Sequence, residues 1–322
     1  MKKFFKILFI VLGSALVLVI CAAGFIAVRG IPKYETEKID LKVEITPERV
    51  ATGKKLANML CVKCHLSPET GKATGKFMID LPKEFGKIYT RNITPHPEKG
   101  IGKWTDGEIA FLLRTGISKD GQYIPPYMPK LNHISDEDLY SIIAWLRSDD
   151  PVLEASEVEP QESEPSFLDK FLSHVAFKPF PYPKTAIKGP DKTNPVEWGR
   201  YIANCQLECY SCHSADFKTD DYYTPENSVG FYGGGNRMPN ETGTQEIATA
   251  NITMDNDNGI GNWTEESFIT TLKYGKKLNG EPVRYPMEPY SLLDSAEVKA
   301  IFAYLRTVPV QKNKVNREYH NL

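Results

Sequence analysis

Two five-residue stretches hold a pair of thiols and an imidazole in the same order: Cys61-Val62-Lys63-Cys64-His65 and Cys209-Tyr210-Ser211-Cys212-His213. Each thiol can form a thioether with one of the two vinyl groups of a porphyrin. A histidine directly after the second thiol is then carried under the ring, where it can ligate iron. Cys61, Cys64, His65, Cys209, Cys212 and His213 are therefore the expected cofactor-binding residues, and two covalently bound haem c groups are the expected cofactors. A zinc site needs four ligands, and no second Cys/His pair lies near Cys61, Cys64 and His65 in sequence. A redox dithiol would sit in a βαβ pattern, which the flanking sequence does not show.

The elements around the first motif read as helices and a rigid loop. Thr46-Pro47-Glu48-Arg49 opens a helix with a capping hydroxyl, a proline at the first turn and an acid beside it. Val50, Leu56, Ala57 and Leu60 give that helix an apolar stripe that leads into Cys61. Thr105 and Glu108 have the spacing of a capping box, and Gly116 is the expected stop. Tyr123-Ile124-Pro125-Pro126-Tyr127-Met128-Pro129 cannot be helix, because its prolines fix φ and remove donors. Such a loop can hold a thioether over the open face of a haem. Ser135-Asp136-Glu137-Asp138 opens a last helix carrying Leu139, Ile142, Ile143 and Leu146.

A second copy follows. Asn92-Ile93-Thr94 and Gly100-Ile101-Gly102-Lys103-Trp104-Thr105 recur 159 positions later as Asn251-Ile252-Thr253 and Gly259-Ile260-Gly261-Asn262-Trp263-Thr264. The same offset carries Gly116 onto Gly275, Met128 onto Met287 and Arg147 onto Arg306. The two thiol motifs are only 148 apart, so the second copy has an insertion before Asn251. That insertion holds Gly233-Gly234-Gly235, which lacks the ending of a phosphate loop and is expected to be a flexible turn. In this copy Pro195-Val196-Glu197-Trp198 opens the first helix. Ser291, with Asp294-Ser295 close behind, opens the last. The Asn-Ile-Thr triplets match glycosylation acceptors, but their place in repeated turns marks them as turn chemistry. Cys205 is expected to be a buried or half-exposed free thiol.

The expected organisation is a membrane anchor or signal over 1–30, domains over 43–149 and 191–312, and a linker over 150–190. The chain of 322 residues has room for two ordinary domains. Its net charge of −2 predicts neither nucleic-acid binding nor a strong field over the whole surface, so no nucleic-acid partner is expected. Lys2, Lys3 and Lys6 precede an apolar run from Ile7 to Val28, long enough to span a bilayer. The lysines place the N-terminus on the cytoplasmic side and the rest outside. Cleavage near Ala22-Ala23-Gly24, or lipidation at Cys21, are the competing readings of that run. The acidic, proline-bearing stretch from Asp149 to Ser166 reads as a solvated spacer. Phe167, Leu168, Phe171, Leu172 and Val175 then mark a short helix, expected to pack between the two domains.

Helix, Cys-x-x-Cys-His, loop, short helix, Met-bearing proline loop and terminal helix resemble a class I cytochrome c domain. The fold class expected from this is mainly α: two tandem class I cytochrome c-like domains after an N-terminal transmembrane helix. In that family the first and last helices cross beside the haem, and a methionine supplies the second axial ligand. The resemblance therefore makes Met128 and Met287 the expected metal ligands with His65 and His213. Met78 and Met238 form a rival matched pair, and His133 is a rival in the first copy alone.

The paired Gly-Ile-Gly-x-Trp-Thr turns resemble the cytochrome c subunits of membrane-associated bacterial alcohol and gluconate dehydrogenases. Sulfur on one face and nitrogen on the other leave iron no open position, so the chain should pass single electrons rather than act as an enzyme. The expected partners are a dehydrogenase or quinol-linked donor, and an oxidase or small soluble cytochrome as acceptor. The expected location is the bacterial cytoplasmic membrane, with the haem domains on the periplasmic side. A dihaem enzyme, peroxidase or thiosulfate dehydrogenase-like, is the alternative and would need one exchangeable ligand.

Overall fold

The computed structural model describes residues 2–79 and 81–321. The fold is mainly α. Helix α1, Lys2–Arg29, contains an 18-residue window with a mean hydropathy of 2.8 and buries none of its residues in the protein. It is long and apolar enough to cross a membrane.

The first half builds on α2 (Pro47–Leu60), which runs through Cys61 into the short α3 (Val62–His65). Thr46 caps α2 by accepting a hydrogen bond from Arg49 N, with Pro47 at the first turn. α4 (Asp106–Thr115) opens with the Thr105–Glu108 capping box and ends on Gly116 at φ 82°. α5 (Asp136–Leu146) is capped by Ser135. α2 and α5 pack against each other along a buried face that includes Leu56, Ala57, Ile142 and Trp145. They touch backbone to backbone: a Cβ added at Gly53 would lie 1.8 Å from the carbonyl oxygen of Ser141. Only glycine allows that approach.

The second half repeats this crossing. α7 (Pro195–Arg200) packs on α10 (Ser295–Leu305), and a Cβ at Gly199 would lie 1.8 Å from the carbonyl oxygen of Ala300. Gly53 stands 8 positions before Cys61, whereas Gly199 stands 10 before Cys209. A π-helical turn, Tyr201–Gln206, lies between, and its extra residues keep α8 (Cys209–His213) in place. α9 (Glu265–Tyr274) ends on Gly275 at φ 69°, as α4 ends on Gly116. The cap of α10 is Asp294, which shares a capping box with Glu297. Ser291 lies outside the helix, because the acid at 294 has its box partner three residues on.

Three expectations change. The acidic stretch after α5 is docked, not a free spacer: Ala73 N donates to Val152 O at 2.8 Å, and strand β1 (Gly86–Lys87) pairs antiparallel with β2 (Glu164–Pro165). Neighbouring backbone satisfies its polar groups, which outweighs its solubility as a coil.

The helix α6 (Phe167–Val175) does not sit between the halves. It packs on α1 and on the turn Lys83–Phe85. Its buried residues are Asp169 and Ser173, and the stripe that was expected to be covered faces outward.

The glycine insertion is tightly packed rather than flexible. Gly234 N donates to His213 O at 2.7 Å, and a Cβ there would meet Ala250 C at 2.4 Å. The rest of the insertion forms β3 (Arg237–Pro239) and β4 (Gln245–Ala248), joined at the edge by β5 (His320–Asn321).

Candidate haem sites and their interface

Each histidine is held by its second nitrogen. His65 Nδ1–H donates to the carbonyl of Arg91 at 2.7 Å, and His213 Nδ1–H donates to the carbonyl of Ala250 at 2.8 Å. Arg91 and Ala250 each stand directly before the repeated asparagine. A donating Nδ1 fixes the tautomer and leaves the Nε2 lone pair for a metal. Burial lowers the pKa of both rings, which keeps them neutral and able to ligate.

The asparagines explain why the triplets recur. Asn92 is buried; its Oδ1 accepts from Thr94 N, and its Nδ2 donates to Ser156 O on the outgoing chain. Asn251 is buried likewise, accepts from Thr253 N and donates to Gln311 O and Asn313 O. Each asparagine therefore ties the histidine's carbonyl partner to the segment that leaves the last helix. Buried amides in this role are not glycan sites.

The thiols of Cys61, Cys205 and Cys209 are held neutral. No two of the six cysteines are joined in a disulfide. Burial pushes Cys61 and Cys209 up to about 12, and Cys205 up to about 11. Thiols held in the protonated form do not suit a thiolate redox centre. Among the described residues no group of three or more His, Cys, Asp or Glu side chains could cage a metal ion.

Met128 and Met287 sit in matching turns, with Met128 N donating to Pro125 O and Met287 N to Arg284 O. Both pack against the hydrophobic core, as do Cys61 and Cys209. The first turn is stapled by buried Lys130, whose Nζ donates to Pro125 O and Met128 O. Met78 and Met238 lie elsewhere: Met78 N donates to Ile88 O, and Met238 pairs with Ile247 across β3 and β4. His133 is engaged through Nε2–H with the carbonyl of Tyr222 at 2.8 Å.

A further pair was missed by sequence reasoning. Arg284 and Arg317 each bury an Nε that has no partner, and neither forms an ion pair with an acid among the described residues. Arg284 Nη1 donates to Arg317 O, and the charge of Arg317 is felt at His213. Two half-buried guanidiniums, one of them near His213, suit the paired carboxylates of a porphyrin. Their separation in sequence left no local signal. The donor sets thus fit haem: two neutral thiols, an oriented imidazole, a fixed thioether and, in the second half, a cationic edge.

The two motifs face each other's methionine loops. Lys63 Nζ lies 2.8 Å from Glu288 Oε2 and 5.3 Å from the ring of Tyr290. In the other direction Glu208, just before Cys209, and Lys130 interact through their charges. Tyr201 seals the contact, accepting from Ser135 N and donating to Asp138 Oδ2.

Comparison with known proteins agrees with this chemistry. The family model described as "Cytochrome c" matches residues 50–149. The chain is similar to the fructose dehydrogenase cytochrome subunit of Gluconobacter japonicus, 29% identical over 78% of this chain and 50% of that protein. It is similar to the cytochrome c subunit of quinone alcohol dehydrogenase from Gluconobacter oxydans, 26% identical over 77% of this chain and 52% of that protein. It spans about half the length of these curated relatives. A protein named diheme cytochrome c-type from Cereibacter sphaeroides is 27% identical over 92% of this chain and 97% of that protein. Residues 50–149 are thus a cytochrome c domain, in a chain whose similarity extends to the cytochrome c subunits of bacterial dehydrogenases.

Proposed function

We propose that the chain is a membrane-anchored dihaem cytochrome c that passes single electrons. It would take them from a dehydrogenase or quinol-linked donor and deliver them to an oxidase or small cytochrome. Cys61 and Cys64 would tether the first haem and Cys209 and Cys212 the second. His65 and Met128 would be the axial ligands in the domain over 43–149, and His213 and Met287 those in the domain over 191–312. Haem iron with both axial positions taken supplies a one-electron change with little rearrangement.

The observation that carries this reading is the doubled histidine arrangement, with Nδ1 held at 2.7 and 2.8 Å by equivalent carbonyls. The contact of the first motif with the second half's methionine loop supports transfer inside the chain. α1 supports anchoring, with its lysines on the cytoplasmic side and the haem domains in the periplasm. The names of the relatives support a dehydrogenase as donor.

The test is to extract the full chain in detergent from membranes that attach haem c. Its mass should exceed that of the polypeptide by two porphyrins, and a co-purifying dehydrogenase should reduce both with its own substrate. A mass increase of one porphyrin or none ends the dihaem reading. Carbon monoxide binding to the reduced protein would point to an exchangeable ligand instead.

A further inference from the structure

Helix α6 is oriented against ordinary expectation. Asp169 and Ser173, one turn apart, are fully buried, and neither side chain has a hydrogen-bond partner among the described residues. The opposite face shows large apolar groups to the outside: Phe167 is 49% exposed, Leu168 41%, Phe171 39% and Val175 55%. A helix of this composition in water would turn the other way, because each large apolar side chain stabilises by roughly 1.5–3 kcal/mol when buried. Something other than water is therefore expected to cover that face.

Its position identifies the covering. α6 is joined to the end of the apolar helix α1. The rings of Phe25 and His174 lie 6.3 Å apart, and His174 Nε2 bonds the carbonyl of Gly30 at 3.0 Å. Phe25 is four residues before Arg29, where the apolar run has ended, or about 6 Å along a helix. His174 thus sits at the depth where α1 leaves the hydrocarbon. Lys170 on α6, Lys178 three residues past its end and Lys83 on the turn packed against it, where Glu84 also lies, carry the charge near the exposed stripe. An apolar face bordered by lysines at this depth is the composition of a helix that lies in the interfacial layer.

We propose that the outward face of α6 rests in the headgroup–acyl boundary of the bilayer crossed by α1, a lipid surface being its partner. This rests on the reading of α1 as a membrane anchor. Two attachments would then hold the first domain: α1 fixes its distance from the membrane, and α6 fixes its tilt. Asp169 and Ser173 would face the protein because the lipid takes the other side.

The test places tryptophan on the face as Phe171→Trp in the full chain. The protein is reconstituted into vesicles of phosphatidylcholine and phosphatidylglycerol, with bromine-labelled acyl chains as quencher. Leu278→Trp, on an exposed turn of the second half, is the control, and wild type gives the background of the native tryptophans. The expected result is strong quenching at 171 by bromolipid with protection from aqueous acrylamide, and the reverse at 278. Bromolipid quenching at 171 no greater than at 278 overturns the proposal, as does protection that appears only when another protein subunit is bound. A chain that fails to float with the vesicles sinks the anchor reading and this proposal together. A chain that floats with position 171 open to acrylamide sinks this proposal alone.

Discussion

Lys63, inside the first Cys-x-x-Cys-His turn, pairs with Glu288, one residue beyond Met287, at 2.8 Å. The charges of Glu208 and Lys130 answer it from the other side, between the second motif and the loop of Met128. The first Cys-x-x-Cys-His turn therefore touches the other half's methionine loop, and the second is linked to the loop of Met128 by charge. Both members of the Lys63–Glu288 pair are well solvated, so the pair itself contributes little, about 0–1 kcal/mol. Lys63→Glu should lower the urea midpoint only slightly, and combining it with Glu288→Lys should restore it. A loss that the double variant does not recover would mean the pair is incidental.

The methionine assignment predicts a spectroscopic change. Met128→Ala and Met287→Ala should each convert half of the haem to a high-spin form and open one site per chain to carbon monoxide. Met78→Ala and Met238→Ala should leave the low-spin spectrum unchanged. An unchanged spectrum in Met128→Ala would shift the assignment away from that loop.

Gly53 and Gly199 predict where the fold breaks. Alanine at either position would drive a methyl group into a backbone carbonyl at 1.8 Å. Forcing the helices apart costs roughly 1–3 kcal/mol. Gly53→Ala and Gly199→Ala should lower the denaturation midpoint accordingly, whereas Gly243→Ala, with open space around its Cβ position but φ at 62°, should cost less than either. Denaturant titration of the three variants compares them directly.

Asp169 gives a pH signature. Burial pushes its carboxyl up to about 7 from the usual 3.8. Between these values the folded chain keeps a proton that the unfolded chain has released. Its contribution is present below about pH 4 and is lost as pH rises through 7. Asp169→Asn keeps the shape without the charge. It should be more stable than wild type at pH 8, by on the order of 2 kcal/mol, and equal to it near pH 4. A stability difference independent of pH would rule out titration of this group.

The guanidinium pair predicts a potential. Arg284→Gln and Arg317→Gln remove positive charge beside His213; that charge disfavours the ferric form more than the ferrous form, so its loss favours the ferric form. One of the two redox waves should therefore move to lower potential, and the wave displaced by Met287→His should be the same one. Movement of the other wave would place the pair at the first haem.

Several features were legible locally. The short helices of the two Cys-x-x-Cys-His stretches, the capping residues Thr46, Thr105 and Ser135, the stops at Gly116 and Gly275 and the repeated turns all depend on neighbours a few residues away. The identity of the carbonyls at Arg91 and Ala250 was not legible, because a histidine's second partner can come from any strand that passes it. The extra turn at Tyr201–Gln206 appeared in sequence only as a change in spacing between Gly199 and Cys209.

The sequence by itself determined that the Cys-x-x-Cys-His stretch and its surrounding turns occur twice, and that α6 has one apolar face and one polar face. Tertiary structure alone decided that the first motif meets the second half's methionine loop, that Arg284 meets Arg317, and that Asp169 rather than Phe171 is buried. The physical reason is common to all three. Periodicity records which face of an element is apolar, but what covers that face is set by distant chain or by the surrounding medium, and neither leaves a mark in the local pattern.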